Sequence, residues 1–134
     1  MTPKVLIVDD EVDVCWLVAF VLRQDPNLAV AGEAIDGEMA LSLVRQERPD
    51  VVLMDVMLPR LDGLEATRRI KREWPETKVL VLTNLTDDDV TRREAFETGA
   101  DAFLSKRDIA SGLVAAIWDA CGAERLPSSS SGRR

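Results

Sequence analysis

The chain contains no histidine and no tyrosine, and only two cysteines among 134 residues. Without histidine, the commonest general base, the usual serine-protease chemistry and most zinc sites are excluded together. Cys15 and Cys121 lie far apart and form no metal-binding pair; they read as reduced, buried small hydrophobes of a cytosolic protein. No apolar run approaches the roughly 20 residues that a membrane helix needs. The opening "MTPKV" lacks a charged-then-apolar leader, so secretion is not expected. Basic residues are in deficit, 17 against 24 acidic, which leaves a formal net charge of −7. Such a surface repels nucleic acid and makes this chain alone a poor DNA binder. Neither G-x-G-x-x-G nor G-x-x-x-x-G-K-[ST] occurs, so dinucleotide and nucleoside-triphosphate binding lack support.

What the chain does have is apolar content, 46% of its residues, enough for one packed core with a short tail. Five apolar runs stand out: "KVLIV" from Lys4, "LAVAGEA" from Leu28, "VVLMD" from Val51, "KVLVLT" from Lys78 and "AFLS" from Ala102. Their starts fall 24, 23, 27 and 24 residues apart, with helix-period stretches between them. Four of the five are almost continuously apolar, as strands covered on both faces are. The second is weaker and reads as an edge. Strand and helix alternating at this spacing imply an α/β fold with a parallel sheet.

The helix ends are also legible. Asp36 is expected to cap a helix over 37–46, with Pro49 beyond it. Gly63 opens 64–74, where Leu64, Thr67, Ile70 and Trp74 form a stripe, and Pro75 stops it. "TDDDV" (86–90) places acids at the positive start of a helix ending near Gly99 and reads as a solvated cap. Asp108 is expected to cap a last helix that runs to Cys121 and closes at Gly122. Residues 123–134, "AERLPSSSSGRR", show no periodicity and read as flexible linker or cloning remnant. The first helix carries too many apolar residues. Val14, Leu17, Val18, Val21 and Leu22 suffice for a core face, while Val12, Cys15, Trp16, Ala19 and Phe20 form a second stripe. That stripe is expected to dock a kinase or a second copy.

In an open parallel sheet, ligands bind beyond the carboxyl ends of the strands. Strand one delivers Asp9 and Asp10 to that rim, strand three Asp55, strand four Thr83 and strand five Lys106. One acidic strand end is explained as a solvated loop; four polar ends converging on one crevice are not. Three clustered carboxylates raise one another's pKa unless a cation neutralises them. Oxygen ligands with no histidine or thiolate select Mg²⁺ (or Mn²⁺), which usually takes one or two carboxylates plus a phosphate oxygen. Lys106 then offers a point charge and Thr83 a hydroxyl to a phosphoryl group.

"VDD" (8–10), "LMD" (53–55) followed by "LPRLDG" (58–63), "VLT" (81–83) and "FLSK" (103–106) together resemble the receiver domain of bacterial two-component response regulators. The resemblance covers about residues 3–122, and the rhythm of the blocks is most similar to LuxR/NarL-type regulators. It implies a flavodoxin-like, doubly wound (βα)5 fold with strand order 2-1-3-4-5, the receiver occupying 1–122 and the tail 123–134. It implies that Asp55 accepts a phosphoryl group from the phosphohistidine of a sensor kinase. Asp10, Asp55 and the Met57 backbone carbonyl would ligate Mg²⁺, with Asp9 acting through a water. Lys106 would pair with Asp55 and then with the phosphoryl oxygens. Thr83 and Phe103 would switch inward together; alone, Phe103 reads as an ordinary core aromatic.

The chain would be cytoplasmic and not an enzyme beyond its own phosphorylation and dephosphorylation. A second copy would be a further partner. Transcription would be controlled through a C-terminal helix-turn-helix domain that this chain lacks. The alternative is a stand-alone receiver acting as adaptor or phosphate sink. Other readings fit less well. A haloacid-dehalogenase-type phosphatase needs an acid two positions after Asp55, where Met57 stands, and an FMN carrier needs a phosphate loop where Asp9, Asp10 and Glu11 stand.

Three departures from the family pattern carry expectations. Asn84 stands where a small residue is usual and crowds the phosphoryl site. Arg107 follows Lys106 where proline is common, so a trans bond is expected. Met57 and Leu85 replace polar side chains that help orient the hydrolytic water, which implies a long-lived aspartyl phosphate.

Overall fold

In a computed structural model, residues 2–84 and 89–122 are described. Five strands, β1 (Lys4–Val8), β2 (Ala29–Ala34), β3 (Val51–Asp55), β4 (Lys78–Thr83) and β5 (Ala102–Ser105), form one parallel sheet in the order 2-1-3-4-5. Helices α1 (Val12–Arg23), α2 (Gly37–Glu47), α3 (Gly63–Glu73), α4 (Asp89–Glu97) and α5 (Ile109–Cys121) connect and follow the strands.

The continuous apolar runs are explained by a core on each face of the sheet. Side chains alternate along a strand, so Val5 and Ile7 join Leu53, Leu80 and Leu82 beneath α1 and α5, against Val18, Leu22, Leu113 and Ile117. Leu6 and Val8 turn the other way with Val52, Met54, Val79 and Val81, against Ala40, Val44, Ala66, Ile70 and Trp74. Strands β2 and β5, at the edges, are mostly half-buried.

Asp36 caps α2 as expected, its Oδ1 accepting from the Met39 amide at 2.7 Å. Helix α3 starts at Gly63 itself and ends at Glu73, one residue earlier at each end than the expected 64–74, and Asp62 caps it: Asp62 Oδ1 accepts from the Glu65 amide at 2.9 Å. Gly63 has a different duty. A Cβ there would lie 1.9 Å from the backbone oxygen of Asp55, so only glycine lets α3 start against the end of β3. Asp108 likewise makes no side-chain cap. A 3₁₀ turn, Lys106–Asp108, leads into α5, and Ser105 Oγ accepts from the Arg107 amide at 3.4 Å. α5 closes at Gly122 in the left-handed region, φ 63°. There is no cis peptide among the described residues, 106–107 included. Residues 86–88 of the "TDDDV" segment lie outside the described residues.

The core face of α1 also differs from expectation. Cys15, Val18, Ala19 and Leu22 are buried, Val14 and Val21 are half-buried, and Leu17 turns outward. The exposed stripe is therefore Val12, Trp16 and Phe20, four residues apart on one line, with the Trp16 and Phe20 rings stacked 5.6 Å between centroids.

Candidate functional site

Strand order 2-1-3-4-5 means that successive connections run in opposite directions from β1, opening a crevice above β1 and β3. The carboxyl ends of β1, β3, β4 and β5 are neighbours there, so Asp9, Asp55, Thr83 and Lys106 meet at one rim although 97 positions separate the first from the last. Asp9 is 1% exposed and Asp55 4% exposed; Thr83 is buried and Asp10 faces solvent.

Local backbone bonds fix the acids. The Asp9 amide donates to the Ala34 carbonyl at 3.0 Å, and Asp9 Oδ1 accepts from the Glu11 amide at 2.8 Å. Asp55 Oδ1 accepts from the Met57 amide at 3.3 Å, and the Val56 amide donates to the Leu82 carbonyl at 3.3 Å. The Lys106 side chain, only 7% exposed, reaches into this group. Its Nζ lies 2.7 Å from Asp9 Oδ2, 3.3 Å from Asp55 Oδ1 and 3.3 Å from Glu11 Oε1.

One cation among these carboxylates leaves the site under-neutralised. Burial and the Asp9 charge push the Asp55 pKa from 3.8 to about 6, although Lys106 opposes the shift. Burial disfavours the Lys106 charge, but its contacts with Asp9 and Asp55 outweigh this and hold its pKa above the usual lysine range. Behind them, burial first and Asp9 second push the Cys15 thiol up to about 11, so this cysteine, donating to the Asp9 carbonyl at 3.3 Å, stays protonated.

Oxygens of Asp9, Asp10 and Asp55 lie within 4.8 Å of one another, a donor set that could hold a metal ion. Asp9 Oδ2 is fully buried and, despite its ionic contact with Lys106, has no aligned hydrogen-bond partner among the described residues. A hard cation suits that shortfall, because all the side-chain donors are carboxylate oxygens.

Other predicted residues lie further out. The Met57 side chain is exposed, Asn84 is exposed, and Leu85 is outside the described residues. Phe103 is half-buried against the second core, with the Arg92 guanidinium of α4 5.0 Å from its ring centroid. Sequence reasoning missed three residues here. Glu11 was visible as a third acid, but nothing in the sequence said that it reaches Lys106. Gly63 was read as a helix signal and is a spacer beside Asp55. Arg92 carried no motif.

A family model for the response regulator receiver domain matches residues 5–117. The chain belongs to the response regulator receiver family. This receiver is 37% identical over 131 residues to the transcriptional regulatory protein LiaR of Bacillus subtilis strain 168, a match covering 97% of this chain and 62% of LiaR. It is 43% identical over 104 residues to protein-glutamate methylesterase/protein-glutamine glutaminase 4 of Myxococcus xanthus strain DK1622, covering 77% of this chain but only 29% of that enzyme. Thus the receiver spans less than a third of that methylesterase's length.

Among solved structures, a LuxR-family two-component response regulator from Aurantimonas sp. SI85-9A1 superposes with a TM-score of 0.86 at 32% identity, over 93% of this chain and 89% of that one. The receiver domain of the putative response regulator NarL from Mycobacterium tuberculosis gives 0.85 at 28% identity, over 92% and 98%. The flavodoxin-like order 2-1-3-4-5 and the receiver assignment therefore stand. Relatives that are enzymes share only this domain with the chain. No helix among the described residues is long and apolar enough to cross a membrane.

Proposed function

We propose that Asp55 is the phosphoacceptor of this receiver, taking its phosphoryl group from the phosphohistidine of a sensor histidine kinase in a Mg²⁺-dependent reaction. The observation that carries the reading is the buried Asp55 carboxylate facing the Lys106 ammonium at 3.3 Å beside an acid pair. An Asp55 carboxylate oxygen forms the new O–P bond as the P–N bond of the donor breaks. The electron pair stays on the imidazole nitrogen, which takes a proton from solvent. Phosphoryl transfer needs mainly alignment and neutralisation of oxygen charge. Lys106 supplies one positive charge to the phosphoryl oxygens, and Thr83, at the end of β4, supplies a hydroxyl. Asp10, Asp55 and the Met57 backbone carbonyl would hold the divalent ion, with Asp9 acting through a water. When bound, the ion would neutralise further phosphoryl charge.

The switch is a population shift toward a state with Thr83 and Phe103 turned inward. Phe103 gives up its contact with Arg92 to get there. The reading divides the chain into a receiver, 1–122, and a linker, 123–134, that leads to a helix-turn-helix output domain beyond this chain. Cytoplasmic placement goes with a kinase partner, and the Val12, Trp16 and Phe20 stripe offers apolar surface to that kinase or to a second copy. The chain itself catalyses only its own phosphorylation and dephosphorylation.

Incubation with Mg²⁺ and a small phosphodonor should add about 80 Da at Asp55. Asp55→Ala should add nothing, and the label should outlast seconds because Met57 and Leu85 do not position a hydrolytic water. Labelling elsewhere, or equal labelling of Asp55→Ala, overturns the assignment.

A second measurement uses pH. In the metal-free protein the Asp55 pKa is raised from 3.8 to about 6, so the stability contributed by the protonated carboxyl is complete below 3.8 and lost as pH rises through 6. A cation that binds the ionised form offsets this loss. The rise in Tm caused by millimolar Mg²⁺ should therefore be small at about pH 5 and grow as pH rises through 6. An increment that shrinks with rising pH contradicts the proposed ligand set.

A further inference from the structure

Lys106 is shared among three carboxylates, and the third is Glu11. Nζ donates a hydrogen bond to Glu11 Oε1 at 3.3 Å, across 95 positions of sequence. The Glu11 backbone is pinned at the start of α1: its amide donates to Asp9 Oδ1 at 2.8 Å, and its carbonyl accepts from the Val14 and Cys15 amides at 3.1 Å each. Its side chain is 57% exposed, while those of Asp9 and Asp55 are 1% and 6% exposed. Of the three partners, Glu11 alone can withdraw into water without stranding a buried charge.

We infer that Glu11 is a positioning residue that draws the Lys106 ammonium toward α1 at rest and slows phosphoryl transfer to Asp55 until that contact is given up. The inference rests on the proposed role of Asp55. Phosphoryl oxygens arriving at Asp55 must compete with Glu11 for the same ammonium, a charge-assisted contact that exposure to water weakens without abolishing. Releasing it puts more of the Lys106 charge on the transferring group, where it counts in the transition state.

The test is labelling of the full chain by acetyl phosphate in Mg²⁺ buffer. The Asp55 O–P bond forms, the acyl C–O–P linkage breaks at phosphorus, and acetate leaves with the electron pair. Glu11→Gln should raise the limiting rate at saturating donor by roughly three- to tenfold, the gain persisting at about 0.5 M salt, where a general field effect is screened. Glu11→Asp, which keeps the charge but shortens the arm, should also be faster than wild type. Asp13→Asn, an acid in the first turn of α1, should change little.

Independently of activity, the ¹⁵N resonance of the Lys106 ammonium, assigned through its side-chain carbons, should shift in metal-free Glu11→Gln. A slower or unchanged limiting rate overturns the inference. So does a gain that vanishes in salt, a gain in Gln but not in Asp, or an unmoved Lys106 resonance. If wild type takes up no phosphoryl group at all, the proposed function fails first; if wild type labels normally and the variants do not accelerate, only the role of Glu11 fails.

Discussion

Lys106→Met should destabilise the protein by as much as about 3–5 kcal/mol at neutral pH, because it leaves two buried carboxylates without their cation. The ammonium lies 2.7 Å from Asp9 and 3.3 Å from Asp55, and all three side chains are less than a tenth exposed. Methionine fills a similar volume, so little of the loss comes from a cavity. Removing the cation raises the Asp55 pKa above its already raised value of about 6. The deficit is therefore full where Asp55 of the variant is ionised in the folded state, and it closes as pH falls through that higher pKa to the wild-type value of about 6, below which both folded proteins hold the carboxyl protonated. Urea melts at neutral pH and near pH 5 should show the gap between variant and wild type narrowing on acidification. Asp55→Asn should move stability the other way, since it removes a charge that burial and Asp9 both disfavour. A Lys106→Met protein as stable as wild type at neutral pH, or a gap that widens in acid, would show that the three groups do not interact as described. The contrast between the two variants separates a cost of charge from a general cost of altering the site.

Gly63→Ala should be nearly as damaging although it adds one methyl group. That methyl would sit 1.9 Å from the Asp55 carbonyl oxygen and 2.9 Å from its carbonyl carbon, both backbone atoms of a central strand with no freedom to yield. The start of α3 must shift by an ångström or more, at an expected cost of about 3 kcal/mol. Such a shift also displaces Asp55, and misplacing a reacting group by about 1 Å can cost about a hundredfold in rate. Gly112→Ala is the control. Its Cβ would meet only Leu104 Cδ1 at 3.8 Å, an ordinary contact, and alanine favours the helix by up to about 1 kcal/mol. Thermal unfolding and phosphodonor labelling of both variants measure the two effects. Gly63→Ala behaving like Gly112→Ala would mean that the β3–α3 junction is looser than its geometry implies.

Strands β1, β3 and β4 were legible because a strand buried on both faces is apolar along most of its length; β5 was also apolar but is a half-buried edge strand, and all four begin at the expected residue. β2 begins at Ala29, one residue after Leu28. Helix ends were legible where one side chain does the capping, as at Asp36. They were misread where two neighbouring residues could serve: Asp62 caps α3 while Gly63 answers to a contact with β3, a crowding that no local pattern records. The face of α1 was misread for a related reason. Apolar residues surround that helix, so periodicity alone cannot choose between burying Leu17 and burying Cys15 and Ala19; the position of α5 and the sheet chose.

By itself the sequence determined the alternation of strand and helix and the residues delivered to the strand ends, Asp9, Asp10, Asp55, Thr83 and Lys106, because periodicity and chain punctuation are local properties. Only the tertiary structure decided how a single ammonium is divided among Asp9, Asp55 and Glu11, and which stripe of α1 stays in water. Those outcomes depend on distances between segments far apart in the chain. Such distances are set by packing and desolvation, which are summed over the whole fold.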